Sequence, residues 1–117
     1  VIQTFWRRDF DEPFLRELHA LSNRLMAEDF ERFRVHAETN ELVHVFRRKG
    51  QMVGFQFWRT VPMDRRTRAI AGGKLRILPE HRRKGLHLRS GLLYFAQAKA
   101  RRPFVRHYRV QQARWAR

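Results

Sequence analysis

Apolar positions recur along this chain at two different periods, and the switches between them mark out the elements. Residues 1–8 (VIQTFWRR) are apolar and aromatic enough for a first strand. Asp9 or Asp11 then stands where a helix N-cap belongs, with Glu12 and Pro13 in the first turn. A carboxylate is favoured there by the positive helix end, and proline loses nothing by lacking an N–H. Phe14, Leu18, Leu21 and Leu25 follow at steps of four, three and four, a helical stripe for a core. Asn23 interrupts the pattern, Phe30 and Phe33 fit a second short helix, and 38–41 (ETNE) is a polar loop.

The period then falls to two. Residues 42–59 (LVHVFRRKGQMVGFQFWR) predict a hairpin, with Lys49-Gly50 at its turn and Gly50 free to take the positive φ a tight turn needs. Residues 61–67, with Pro62 and Asp64, read as a connection. Residues 68–78 read as another strand, in which Gly72-Gly73 marks a bulge or a close backbone approach, and Pro79 ends it. A helix is expected from near Arg83, carrying Leu86, Leu92, Leu93, Phe95 and Ala96 towards Lys99. Pro103 stops it, and 104–110 predicts a last short strand. Strand, helix, strand in that order favours parallel pairing. The expected fold is therefore a single α/β (α+β) domain over 1–117, with a mixed, partly parallel central sheet flanked by helices.

Composition narrows the chemistry. The 117 residues include no cysteine, which removes disulfides, thiolate metal sites and cysteine nucleophiles. The six histidines match no short metal-binding spacing, so no metal site is expected. Ser22 and Ser90 are the only serines, and neither stands in a nucleophile-elbow sequence. No apolar run reaches the length of a membrane span and no secretory leader is visible, so the expectation is a cytoplasmic protein without a membrane partner.

Charge adds a direction. The chain is net +15, but residues 1–41 carry nine carboxylates against six arginines and are net −3. Residues 42–117 carry twenty Lys and Arg against Asp64 and Glu80 alone, a net +18. An anionic partner should meet that second part, and nucleic acid is one candidate. Trp6, Trp58 and Trp115 could stack on bases, whereas Phe55 and Phe57, alternating on a strand, fit a core better.

The most specific segment is 75–93, LRILPEHRRKGLHLRSGLL. It sets an apolar strand, a proline, a basic loop and a glycine directly before a helix. The first turn of a helix has four unpaired N–H groups and a positive dipole end, and glycine lets an anion approach the backbone. Arg82, Arg83 and Lys84 add charge at the same spot.

This run resembles the acetyl-CoA-binding motif of the GCN5-related N-acetyltransferases: an Arg or Gln, two variable residues, Gly, one variable residue, then Gly or Ala. Arg82 falls on the first position and Gly85 on the first glycine. Leu75, Ile77 and Pro79 match the strand-then-proline lead-in, and the hairpin is similar to that family's second and third strands. The resemblance covers about 42–100. It implies a CoA pyrophosphate on the backbone N–H groups of 83–88, with the pantetheine arm along the strand edge. The implied cofactor-binding set is Ile77, Leu78, Arg82, Arg83, Lys84, Gly85, Leu86, His87 and Leu88.

Three departures accompany it. His87 occupies the second small-residue position, where it could bond a phosphate or block it. The strand 69–78 has no carboxylate to act as a base; Glu80 and His81 lie nearby. The family's C-terminal helix and last two strands, which commonly carry a tyrosine acid, have no counterpart, and Tyr108 is not in their place.

Two functions follow as expectations. One is an acyl-CoA-dependent N-acyltransferase using acetyl-CoA or another acyl-CoA, or a relative that keeps CoA binding without turnover. Its acceptor would be a small-molecule or peptide amine, its catalytic residues are unassigned, and the Gly72-Gly73 bulge is a place for an oxyanion donor. The other is a non-catalytic basic module for nucleic acid or another polyanion. An open sheet edge at the last strand favours a homo-oligomer.

Overall fold

The computed structural model describes residues 1–109 of the chain. Strand β1 (Ile2–Trp6) is shorter than the expected 1–8, because Arg7–Asp9 tighten into a 3-10 turn. Asp11 is the N-cap of α1 (Glu12–Leu25), its carboxylate accepting from the Phe14 N–H, with Pro13 in the first turn. Helix α1 runs through Asn23 without a break, and the Asn23 side chain instead accepts from the Glu28 N–H. Asp29 caps α2 (Phe30–Ala37) in the same way.

Strands β2 (Leu42–Arg48) and β3 (Gln51–Pro62) form the expected hairpin. Lys49 and Gly50 both take positive φ, 53° and 81°, which suits the right-handed twist of the strands. Strand β3 continues to Pro62 and β4 (Thr67–Ile77) starts at Thr67, so the connection is shorter than 61–67. Helix α3 (Leu86–Arg101) begins three residues later than Arg83, since Arg83 and Gly85 are left-handed at φ 62° and 75°. Strand β5 (Arg106–Arg109) begins later than expected, with Phe104 95% exposed in the turn before it. Val110, 111–117 and Trp115 lie outside the described residues.

The sheet order is β1-β2-β3-β4-β5, with antiparallel pairs except for the parallel pair β4–β5. The mixed, partly parallel sheet read from the sequence is thus the observed one. Helices α1 and α2 cover one face, packing Leu15, Leu18, Leu21 and Phe33 against Val43, Val45, Phe55 and Phe57. Phe55 and Phe57 are therefore core residues, as their alternation implies.

Helix α3 covers the other face, but not with the expected residues. It buries Ser90, Gly91, Tyr94 and Ala98, while Leu88, Leu92 and Phe95 are exposed and Ala96 faces solvent. The reason is chemical: this face of the sheet presents His44, Gln56 and Trp58, which call for polar partners. Ser90 Oγ lies 2.7 Å from His44 Nδ1 and accepts from Trp58 Nε1 at 2.8 Å. Gln97 Oε1 accepts from His44 Nε2 at 2.8 Å and Gln97 Nε2 donates to Thr4 Oγ1 at 2.9 Å. Tyr94 stacks on Trp58 and donates to Glu41, whose other oxygen holds Arg101.

Candidate functional site

Strand β4 delivers the chain to a basic turn at the end of the sheet. After the 3-10 turn Pro79–His81, Arg83 and Gly85 adopt left-handed conformations in quick succession, and Gly85 caps α3. A left-handed arginine costs on the order of 1 kcal/mol, and glycine relieves that cost at the second position. Gly85 has open space where a Cβ would stand, so the approach to the helix end is clear. The first intrahelical bond runs from Arg89 N–H to Gly85 C=O, so the N–H groups of Leu86 and Leu88 precede the helical ladder.

Arg82, Arg83 and Lys84 are all exposed around that turn, and no acidic residue stands in the first turn of α3. Arg82 is steered by its own bond, Nε–H to Ile77 C=O at 2.9 Å, which folds the side chain back along the end of β4. Arg89 donates to Lys84 C=O at 3.3 Å and braces the turn from the helix side. The residues present fit an anion: oriented N–H groups, a helix dipole and three cations in one place.

His87 does not face this opening. Its ring lies 6.0 Å from the Trp58 ring at an 11° interplanar angle, and Nδ1 is 2.9 Å from Gln56 Oε1. Its side chain is therefore half-buried against the sheet, outside both the bonding and the blocking role weighed for it. Leu78 is also turned inward: it packs in the α1–α2 core and its N–H donates to Val53 C=O at 2.9 Å. Ile77 is half-buried on the opposite face, at the end of the strand. Of the nine expected site residues, Arg82–Leu88 thus gather around one turn, and Ile77 borders it.

Strand β4 has one edge on β3 along most of its length, but its other edge meets β5 only over Thr67–Ile70. Residues 71–77 therefore offer an unpaired edge, among the described residues, leading to the basic turn. Within that stretch, Gly73 and Lys74 together oppose Phe57 of β3, so the bulge expected at Gly72-Gly73 is present one residue on. Gly73 is required there, because a Cβ would stand 2.7 Å from Asn40 Oδ1 and 3.0 Å from Phe57 Cβ.

Sequence reasoning missed what lies behind the bulge. A cavity of about 650 Å³ opens between α2 and strands β3 and β4, with Arg59, Gly73 and Arg76 in its wall. Beside it, Glu28 bonds Lys74 at 2.5 Å, and the Lys74 ammonium holds the Glu28 carboxyl below its usual range despite burial. Alternation of apolar and polar residues in β3 and β4 placed Arg59, Lys74 and Arg76 on strands; only the sheet register puts them on one face. Tyr94, the buried tyrosine, has its pKa pushed well up by burial and by Glu41, and faces away from the turn. Among the described residues, no three His, Asp or Glu side chains converge as metal ligands, and no helix is long and apolar enough to cross a membrane.

The sequence matches no family model and no curated protein. Solved structures do match. A ribosomal-protein-alanine N-acetyltransferase from Brucella melitensis biovar Abortus 2308 is 18% identical, with 97% of this chain and 82% of that one covered and a TM-score of 0.63. A possible acetyltransferase from Clostridium difficile 630 is 14% identical over 97% and 81%, with a TM-score of 0.62. An aminoglycoside N-acetyltransferase solved in complex with CoA is 13% identical over 97% and 77%, with a TM-score of 0.58. The chain therefore has the fold of the GCN5-related N-acetyltransferases.

Proposed function

We propose that this chain binds acetyl-CoA or another acyl-CoA and transfers the acyl group to an amine. One observation carries the reading: β4 ends in a basic, left-handed turn that runs straight into the N-terminus of α3. That arrangement supports a pyrophosphate on the N–H groups of 83–88, with Arg82, Arg83 and Lys84 supplying charge. The unpaired edge of β4 supports an extended arm beside Ile77. Leu78 contributes only scaffolding, and His87 holds the first turn against Gln56 and Trp58.

In the chemistry proposed, an ammonium first gives up one proton to solvent or a base. The neutral nitrogen attacks the thioester carbonyl, the C–S bond breaks, and one of the nitrogen's two protons goes to the departing thiolate while the other stays on the amide. The protein's share is orientation and a backbone donor for the developing oxyanion. The irregular backbone at Gly73-Lys74 is where such a donor is available. An acyl-CoA user of this kind belongs in the cytoplasm.

Thermal stability in the presence of acetyl-CoA tests the site. The expected result is a saturable rise in Tm, competed by inorganic pyrophosphate and abolished by Arg82→Ala combined with Gly85→Glu. An undiminished rise in that variant would remove the assignment.

A polyanion-binding reading has its own support. Arg48 and Lys49 at the hairpin turn and His81 and Lys84 of the basic turn line a second cavity, of about 450 Å³, without a carboxylate. If that reading holds, DNA binds at low ionic strength and is lost steeply as salt rises. A homo-oligomer built on the β5 edge would be detected by sedimentation equilibrium.

A further inference from the structure

The cavity behind the bulge has a strongly basic wall. Its wall carries Arg59 from β3 and Lys74 and Arg76 from β4, with His36 and Asn40 from the α2 end and Phe33 at its side. Among the described residues, no carboxylate lines it. The nearby Glu28 bonds Lys74 at 2.5 Å and lies 3.9 Å from His36, one carboxylate beside the Lys and Arg side chains of the wall. Arg76 bonds only neutral oxygens, Ser22 Oγ at 3.2 Å and its own neighbour's Leu75 C=O at 2.9 Å. Arg59 makes no ion pair or side-chain hydrogen bond among the described residues, and it is half-buried. The cavity wall therefore keeps a positive excess: Glu28 bonds Lys74 and acts on Arg76 only at longer range, and Arg59 has no carboxylate partner among the described residues.

Resting on the acyltransfer reading, we propose that this cavity is the acceptor subsite and that it takes a small amine also carrying a carboxylate or phosphate. Arg59 and Arg76 hold the anionic end, since a guanidinium fork matches either oxyanion and is strongest when partly desolvated. The volume, about 650 Å³, suits a ligand of amino-acid or dipeptide size. The amine end lies towards Gly73, in the cavity wall beside the bulge. Behind Gly73, Asn40 Oδ1 is buried with no hydrogen-bond partner among the described residues. That places the negative end of an amide dipole, rather than a donor, near the ammonium. An acceptor without an anionic group leaves both arginines unanswered, so specificity is for zwitterions over simple cationic amines.

The test uses the full chain, labelled for 1H–15N spectra, titrated with matched probes. Ala-Ala and O-phosphoethanolamine carry the anion; Ala-Ala-amide and ethanolamine do not. The expected result is saturable shifts at Thr39, Asn40, Arg59 and Gly73 with one or both anionic probes, and none with their neutral-ended counterparts. The two anionic arms distinguish carboxylate from phosphate as the preferred group. Arg59→Gln weakens the anionic probe about tenfold, the size of one charge-assisted bond, and Arg59→Lys restores part of it. Equal binding of the counterparts, no binding of either anionic probe, or an unchanged affinity in Arg59→Gln would overturn the proposal.

Acetyl-CoA is titrated in parallel and read at 82–88. If it shifts those amides while the anionic probes leave the cavity silent, the subsite falls and the acyl-CoA reading stands. If the probes bind while acetyl-CoA does not, the acyltransfer reading falls, and with it the acceptor role.

Discussion

The two faces of the sheet are held by different physics. Under α1 and α2, Phe33, Phe55 and Phe57 meet edge-on at 5.5–6.1 Å with leucines between them, a dry face held by area and packing. Under α3, a chain of hydrogen bonds from Thr4 through Gln97, His44 and Ser90 to Trp58 runs beside a smaller apolar cluster of Leu42, Trp58, Ile70, Tyr94 and Ala98. The dry face tolerates change of shape poorly, and its apolar contacts do not titrate. The polar face depends besides on every member of its network keeping its partner. The basic turn grows out of the polar side, because α3 is fixed by that network and its N-terminus is the proposed anion site. The cationic cavity lies on the dry side, where α2 stops short of covering β4.

Truncation on the dry face should do the most damage. Phe57→Ala removes a side chain that is 1% exposed and should cost about 3–5 kcal/mol in urea unfolding. Ser90→Ala removes almost no volume yet removes the bond that Trp58 Nε1 donates and takes the partner from buried His44 Nδ1, at about 1–3 kcal/mol for that group. A Ser90→Ala cost near zero would show that the network is ornamental and that α3 is held by apolar contact alone.

The faces should also separate by pH. Burial lowers the His44 pKa from its ordinary 6.5, so as pH falls the unfolded chain takes up the proton first. The stabilisation from neutral His44 is complete above about pH 6.5–7 and drains away below it, down to the folded pKa. His107 is lowered in the same direction, by burial first and by nearby cations, Lys99 foremost. Unfolding free energy measured from pH 8 to 5 should therefore fall, and His44→Leu should remove part of that slope. A variant with the wild-type slope would assign the pH dependence elsewhere.

How legible this was differs between the faces. The α1 stripe, Phe55 and Phe57 announce themselves by period, because burial against hydrocarbon leaves an apolar signature. Helix α3 misled for the same reason: its leucines and Phe95 form the apolar pattern, but its buried residues are Ser90, Tyr94 and Ala98. A polar residue carries no mark of having a buried partner 46 positions away, as Ser90 has in His44. The basic turn was legible down to Gly85, since proline, cations and glycine punctuate local backbone. The late start of α3 was not, because a left-handed Arg83 has no sequence signature. The cavity was invisible, since Arg59, Lys74 and Arg76 meet only through the β3–β4 register and its bulge.

Smaller effects sharpen the contrast at the surface. Asp11→Ala removes the α1 N-cap on the dry side and should cost about 1 kcal/mol, read as a lowered urea midpoint. Glu12→Ala, which breaks an exposed bond to Arg16 one turn away, should change stability by no more than about 0.5 kcal/mol.

The most direct measurement of the central claim is a 1H–15N titration of the full chain with acetyl-CoA. Saturable shifts are expected at 82–88 and along the open edge of β4 at 71–77, and they should vanish in Gly85→Glu while the far-UV circular dichroism stays unchanged. Shifts confined to the Arg48–Lys49 turn and erased by moderate salt, or no shifts at all, would contradict it.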